Sequence, residues 1–287
     1  MGDWDDDLDD AEDRDGSDEP MRGSVEAWCL TFLLETDLER KLAPDRVSSV
    51  VFEASARPRR VSAPGRPVEL VSVTRAPRTP RPEALEEPRA RARLVHTFLH
   101  HELQAAELFA WAILSFPETP RAFRAGLLAL CQEELSHLAL YREHLARLGF
   151  AVGSFPVRDW FWERVGRVES AVPFVALLGL GLEGANLEHC ARFAAQFRAA
   201  GDERGAQILE RVELEECAHV AFAKHWFEHF TGAPLDYDRW RASLPAPLTP
   251  ALLRGRPLNR EARARAGMDP AFLARLAAEP PTNGTRA

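Results

Sequence analysis

Glu134-Leu-Ser-His137 and Glu216-Cys-Ala-His219 are the two Glu-x-x-His stretches of this chain, and each follows a helical glutamate, Glu102 or Glu183, at a spacing of 32 or 33 residues. A glutamate on one helix and a Glu-x-x-His on the next, present twice, is the donor set with which a helical bundle holds two metal ions in its core. The spacing predicts an all-α fold of two antiparallel helix hairpins joined by a long crossover, because two residues on paired helices sit level only when the turn lies midway between them. Both turns do. The first midpoint falls in Phe116-Pro117-Glu118-Thr119-Pro120, where Thr119 reads as an N-cap and Pro120 as the first helical residue. The second falls beside Gly201-Asp202, a C-terminal glycine followed by an N-cap aspartate. The glutamates then lie about 20 Å from the hairpin tips at ~1.5 Å per residue, near the middle of the helices.

Helices are expected over 89–115, 120–148, 171–200 and 203–230, with Gly149 and Gly232-Ala-Pro234 as stops. Residues three, four and seven apart share a helix face, and on that basis every proposed ligand points inward. Glu102 lies among Phe98, Leu99, Ala105 and Phe109; Glu134 and His137 share a stripe with Leu130, Cys131 and Leu138; Glu216 and His219 share one with Leu209, Val212 and Val220. Four inward carboxylates without counter-charge would cost several kcal/mol per ion, whereas two divalent cations balance them. Gly179, Gly181 and Gly184 around Glu183 signal either close packing or open space, and we read them as room for dioxygen or substrate.

The chain of 287 residues is long enough for one sizeable core. Its net charge of −8 is concentrated at the start, since residues 1–20 carry eleven acidic side chains against Arg14. We expect four segments: a disordered acidic tail over 1–20, an arm over 21–87 that wraps the helices, the bundle over 88–232, and a C-terminal helical extension over 233–287. The arm opens with an apolar helical stretch, Val25 to Leu42. Phe174 to Leu182, the longest apolar run, is too short to span a bilayer, and the acidic start lacks the basic residues of a secretory signal. The four cysteines form no Cys-x-x-Cys pair, which fits a reducing cytoplasm. Arg75, Arg78, Arg81, Arg89, Arg91 and Arg93 are scattered among prolines without interleaved aromatics and do not point to nucleic acid. Trp160-Phe161-Trp162 in the crossover reads as packing over the bundle edge, with a cap on a substrate channel as the alternative.

The stretch Leu94-Val-His-Thr-Phe-Leu-His-His-Glu-Leu-Gln-Ala-Ala-Glu-Leu108, with Glu133-Glu-Leu-Ser-His137, Glu215-Glu-Cys-Ala-His-Val220, Pro64-Gly-Arg-Pro67 and Leu258-Asn-Arg-Glu-Ala-Arg263, resembles the bacterial ferritin-like proteins of the domain-of-unknown-function 455 family. The resemblance covers roughly residues 60–275 and implies a ferritin-like four-helix bundle with a di-iron carboxylate site. Two departures stand out. Glu183-Gly-Ala-Asn-Leu-Glu replaces the relatives' Glu-Ala-Arg-Gly-Leu-Asp, and Glu215 stands where aspartate is usual.

Ligand chemistry then assigns roles. Glu134 and Glu216 are the natural bridges, each on the same turn as a histidine, His137 or His219, and Glu102 and Glu183 complete the two ends. Glu133 and Glu215 are aimed at the metal-binding histidine of the opposite hairpin. Tyr141, one turn past His137, reads as a packing tyrosine, with a radical carrier or a hydrogen-bond partner of a ligand as the alternatives. Two iron ions fit this oxygen-rich set, as do manganese or a manganese–iron pair. The expected function is a dioxygen-dependent oxidase or monooxygenase of an unidentified substrate, with an electron-donor protein and a homodimer as admissible partners. The alternatives are ferrous-ion oxidation, as in a ferritin, and a non-catalytic metal-binding bundle.

Overall fold

The computed structural model describes residues 19–47, 49–54, 56–75 and 79–280, and their regular structure is helical. Short helices α1 (Val25–Leu34) and α2 (Leu38–Leu42) open the chain. The long helices α3 (Pro88–Ser115) and α4 (Arg121–Arg147) form the first hairpin. The crossover contains one turn of helix, α5 (Trp162–Val165), and leads to the second hairpin, α6 (Ala171–Ala199) and α7 (Glu203–Thr231). Three small α-helices follow: α8 (Tyr237–Ala242), α9 (Arg260–Arg265) and α10 (Pro270–Ala278). The hairpins meet through α4 and α7, α1 lies on α3, and α9 lies on α6 and α7. Of the acidic stretch expected over 1–20, residues 1–18 lie outside the described residues, as does Arg78.

The expected helix bounds agree with the observed ones to within a residue or so. The caps are more informative. Asp202 caps α7 by accepting from Gly205 N (2.9 Å) and also takes the His144 ring from α4 at 2.9 Å and Arg91 from α3 at 3.2 Å. One side chain thus joins three helices, and the preceding Gly201, at φ 78°, supplies the left-handed turn that lets α6 end there. Thr119 does not cap α4 as expected: its hydroxyl donates to Phe116 O (2.7 Å), and Pro120 takes the cap position with no side-chain bond. The apolar stretch from Val25 is likewise two helices rather than one, because Asp37 accepts from Arg40 N and starts a new one.

α6 departs most from expectation. Within it, Val175–Glu183 is π-helical, a nine-residue run that is buried throughout and ends on Glu183. Such widened turns are rare and recur at functional sites. The glycines in and beside it fill no open space. A Cβ on Gly179 would stand 2.3 Å from that of Ala223, one on Gly181 3.0 Å from Leu253 Cδ1, and one on Gly184 2.9 Å from the Arg263 guanidinium. These positions are glycine because neighbours approach closely, which corrects the reading of them as room for substrate. Although the nine apolar residues are too few to span a bilayer, α6 is long and apolar enough to do so, its most apolar 18-residue window having mean hydropathy 1.2. In this fold 78 % of that apolar window is buried inside the protein.

A buried ionic cluster fixes the arm and the crossover. Glu107 on α3, with no exposed side-chain surface, takes Lys41 Nζ at 2.8 Å, Arg66 Nη2 at 2.8 Å and Trp162 Nε1 at 2.7 Å. Arg66 also reaches Asp159, which accepts from His100 at 3.1 Å. The arm further pairs with the crossover in an isolated β-bridge, Ser72 with Val157.

Candidate metal centre

Glu102, Glu134, His137, Glu183, Glu216 and His219 converge in the interior between the two hairpins, all of them buried. They form two overlapping groups. Glu102, Glu134, His137 and Glu216 bring four ligand atoms within 4.8 Å of one another, and Glu134, Glu183, Glu216 and His219 do the same. Glu134 and Glu216 belong to both. Glu134 directs Oε1 to His219 Nδ1 (2.9 Å) and Oε2 toward His137 Nδ1 (3.6 Å), while Glu216 sets Oε2 3.3 Å from His219 Nδ1 and Oε1 3.9 Å from His137 Nδ1. Each of these carboxylates therefore faces both histidines with different oxygens, the disposition a bridging ligand needs. Glu102 Oε2 lies 3.8 Å from His137 Nδ1 at one end.

The outer nitrogens are bound across the hairpins. His137 Nε2 on α4 meets Glu215 Oε2 on α7 at 2.9 Å, and His219 Nε2 on α7 meets Glu133 Oε2 on α4 at 2.9 Å. The two rings face each other with centroids 5.9 Å apart. Donating Nε2–H to a carboxylate leaves each Nδ1 aimed at the cluster, the orientation a metal requires. Tyr141 is buried, its ring 5.8 Å from that of Phe98.

Both oxygens of Glu134, His137 Nδ1, Glu183 Oε1, Glu216 Oε2 and His219 Nδ1 are buried and make no hydrogen bond. Buried polar atoms are rarely left so, and six converging on one point match a cation-binding donor set. Burial, and then the charge of Glu134, pushes Glu102 well above the usual carboxylate range; burial and Glu216 do the same to Glu183. Burial opposes charge on His137, yet pairing with Glu102 and Glu134 outweighs it and pushes the ring up to about 11. Those contacts, at 3.6 to 3.8 Å, are charge pairs rather than hydrogen bonds. His219 moves the same way, with Glu216 and Glu134 overcoming its burial.

The family described as "Protein of unknown function (DUF455)" matches residues 32–274, most of the chain and all six of these side chains. The chain belongs to that family. An "Uncharacterized protein" of Haemophilus influenzae is 26 % identical over 144 residues, covering 47 % of this chain and 50 % of the relative. The chain thus spans about half the length of the curated relative it matches. No solved structure matches it.

Several neighbours of the centre in this DUF455 chain escape a reading of the sequence. Asn186, one turn after Glu183, donates to Glu216 Oε1 at 3.2 Å, and its position in the departure from the relatives' pattern was the available signal. A cavity of about 260 Å³ has Glu102 and Glu183 in its wall together with His101, Trp160, Phe161 and His189. The aromatic triplet accordingly divides: Trp160 and Phe161 line the cavity, whereas Trp162 is buried against Trp111 and bound to Glu107. The four cysteines are free and buried.

Proposed function

We propose that this chain is a ferritin-like four-helix bundle whose six inward side chains hold two iron ions, and that it acts as a dioxygen-dependent oxidase or monooxygenase. The observation that carries the reading is the cluster of six buried ligand atoms without hydrogen bonds, shared between two groups through Glu134 and Glu216. Glu102 and His137 would complete one site, Glu183 and His219 the other. Manganese, or one ion of each, suits the same donors. When bound, the ions supply the redox capacity to reduce dioxygen while an organic molecule is oxidised.

The chain's own residues do the rest. Glu133 and Glu215 orient the histidines and raise their basicity. Asn186 holds one oxygen of Glu216, which fixes the direction of the other. The apolar packing around the cluster excludes bulk water and strengthens every charge interaction inside it. A cavity at Glu102 and Glu183 gives an organic molecule a place beside the ligands, which favours oxidation of such a substrate over ferrous-ion handling. Metal analysis of protein purified without added metal, followed by oxygen uptake after ferrous loading, tests the reading. Protein with no affinity for iron or manganese would overturn it.

A further inference from the structure

Between α3 and α6, under residues 156–161 of the crossover, lies the 260 Å³ cavity. Pockets for drug-sized ligands begin near ~300 Å³, so this one suits a single small ring system. Its walls are flat. The His101 and Phe161 rings are near-parallel, 22° apart with centroids at 4.9 Å, and Trp160 stands edge-on to Phe161 at 5.9 Å. These walls are also held in place. Buried Gln104 accepts from Phe161 N (3.0 Å) and donates to Arg158 O (3.3 Å), and the Arg164 guanidinium sits 4.0 Å over Trp160. Fixed aromatic faces favour a planar partner.

Charge in the lining is already paired. Arg158 is bound to Glu163 at 2.9 Å, and Glu102 and Glu183 belong to the acidic cluster. An ionised ligand would lose its water without gaining a counter-charge. Outside the acidic cluster, one fully buried polar atom of the lining is left over. His100 lines the cavity, its Nε2 is engaged by Asp159, and its buried Nδ1 makes no hydrogen bond. With the Nε2–H given to a carboxylate, Nδ1 is an acceptor and calls for a donor.

We infer that this cavity is the substrate site and that it takes an uncharged planar aromatic molecule bearing one O–H or N–H donor, of the phenol or indole class. The inference rests on the oxidase reading for the fate of the molecule, and on the cavity walls for its identity. 2-Naphthol is a suitable probe, titrated calorimetrically into the full chain with and without manganous ion. It should bind about tenfold more tightly than 2-methoxynaphthalene, which lacks the donor, the factor expected of one neutral hydrogen bond. 2-Naphthoate and decanol should bind more weakly still. His100→Leu should erase the difference between naphthol and its ether. Ala105→Phe, which fills the cavity, should abolish binding, and Trp160→Ala, at a partly exposed position, should weaken it by about three- to tenfold.

The inference falls if naphthoate or decanol binds as well as 2-naphthol, or if both cavity variants fold and bind it unchanged. Manganese counted on the same samples separates the two readings. Protein that takes up manganese but no naphthol overturns the substrate class alone; protein that binds naphthol at this cavity but no metal overturns the oxidase reading and keeps the site.

Discussion

His137 on the first hairpin gives its outer nitrogen to Glu215 on the second, at 2.9 Å, and His219 returns the same contact to Glu133. Each Glu-x-x-His stretch thus supplies a shared glutamate and a histidine to the cluster, while the residue before it orients the histidine of the other hairpin. Both outer carboxylates are partly exposed, at 37 % and 53 % of their side-chain surface, so they act as anchors at the rim and not as members of the buried cluster. Removing either anchor, as Glu133→Ala or Glu215→Ala, should leave metal bound but weaken it by about 10- to 100-fold. Competition with a chelator of known affinity measures this, and unchanged affinity in both variants would show the contacts to be incidental.

Loss of a shared carboxylate should be more severe. Glu134→Ala or Glu216→Ala removes an oxygen from both groups at once, and uptake of about two ions per chain should fall toward zero. Elemental analysis reads the outcome directly. Full stoichiometry at unchanged affinity in either variant would be incompatible with bridging.

Metal should also stabilise the fold. The ligand set is assembled only in the folded chain, so manganous ion at ~100 times its dissociation constant adds about 2.7 kcal/mol and raises the melting temperature. The Glu102→Ala, Glu183→Ala double variant should respond less. Identical melting curves with metal and with chelator would count against a functional site.

Arg263 and Glu188 form a fully buried pair at 2.7 Å that latches α9 onto α6, five residues beyond Glu183. Glu188 also accepts from Gly255 N and Asn259 N, so Arg263→Ala strands a carboxylate that organises the whole segment. The expected cost is about 3 to 5 kcal/mol, as for other broken buried pairs. Gly184→Leu should destabilise by the same route, since its side chain enters the space of the guanidinium. Chemical denaturation checks both, and a Gly184→Leu protein of unchanged stability would show that Arg263 yields freely.

Acid should loosen the crossover. Burial raises the affinity of Asp159 for a proton, but hydrogen bonds from His100 and Arg66 outweigh it and hold the carboxyl well below its ordinary range; the Arg66 and Lys41 charges outweigh burial at Glu107 in the same sense. Carboxylates depressed in the folded state contribute stability that is present above their unfolded values, near ~4, and is lost as the pH falls below them. Stability of the full chain should therefore drop on acidification through that range, and Asp159→Asn should flatten the dependence. A variant with the same acid profile as the parent would remove Asp159 from the account.

The six inward residues were legible because helical geometry is periodic: a repeated spacing, with turn residues at its midpoint, fixes which side chains stand level and which face the core. Helix ends followed from the same local chemistry, as Asp202 shows. What the sequence left undetermined depended on contacts between distant segments. The glycines near Glu183 were compatible with a gap or with close approach until Ala223, Leu253 and Arg263 were found against them. The π-helical run ending at Glu183 has no periodic signature of its own in the sequence. The substrate-sized cavity needs α3, α6 and the crossover together, and the anchor that fixes the crossover joins Lys41, Arg66, Glu107 and Asp159 from four separate stretches of chain. Periodicity sets the direction of a side chain, but the space in front of it is set by whatever the rest of the chain brings there.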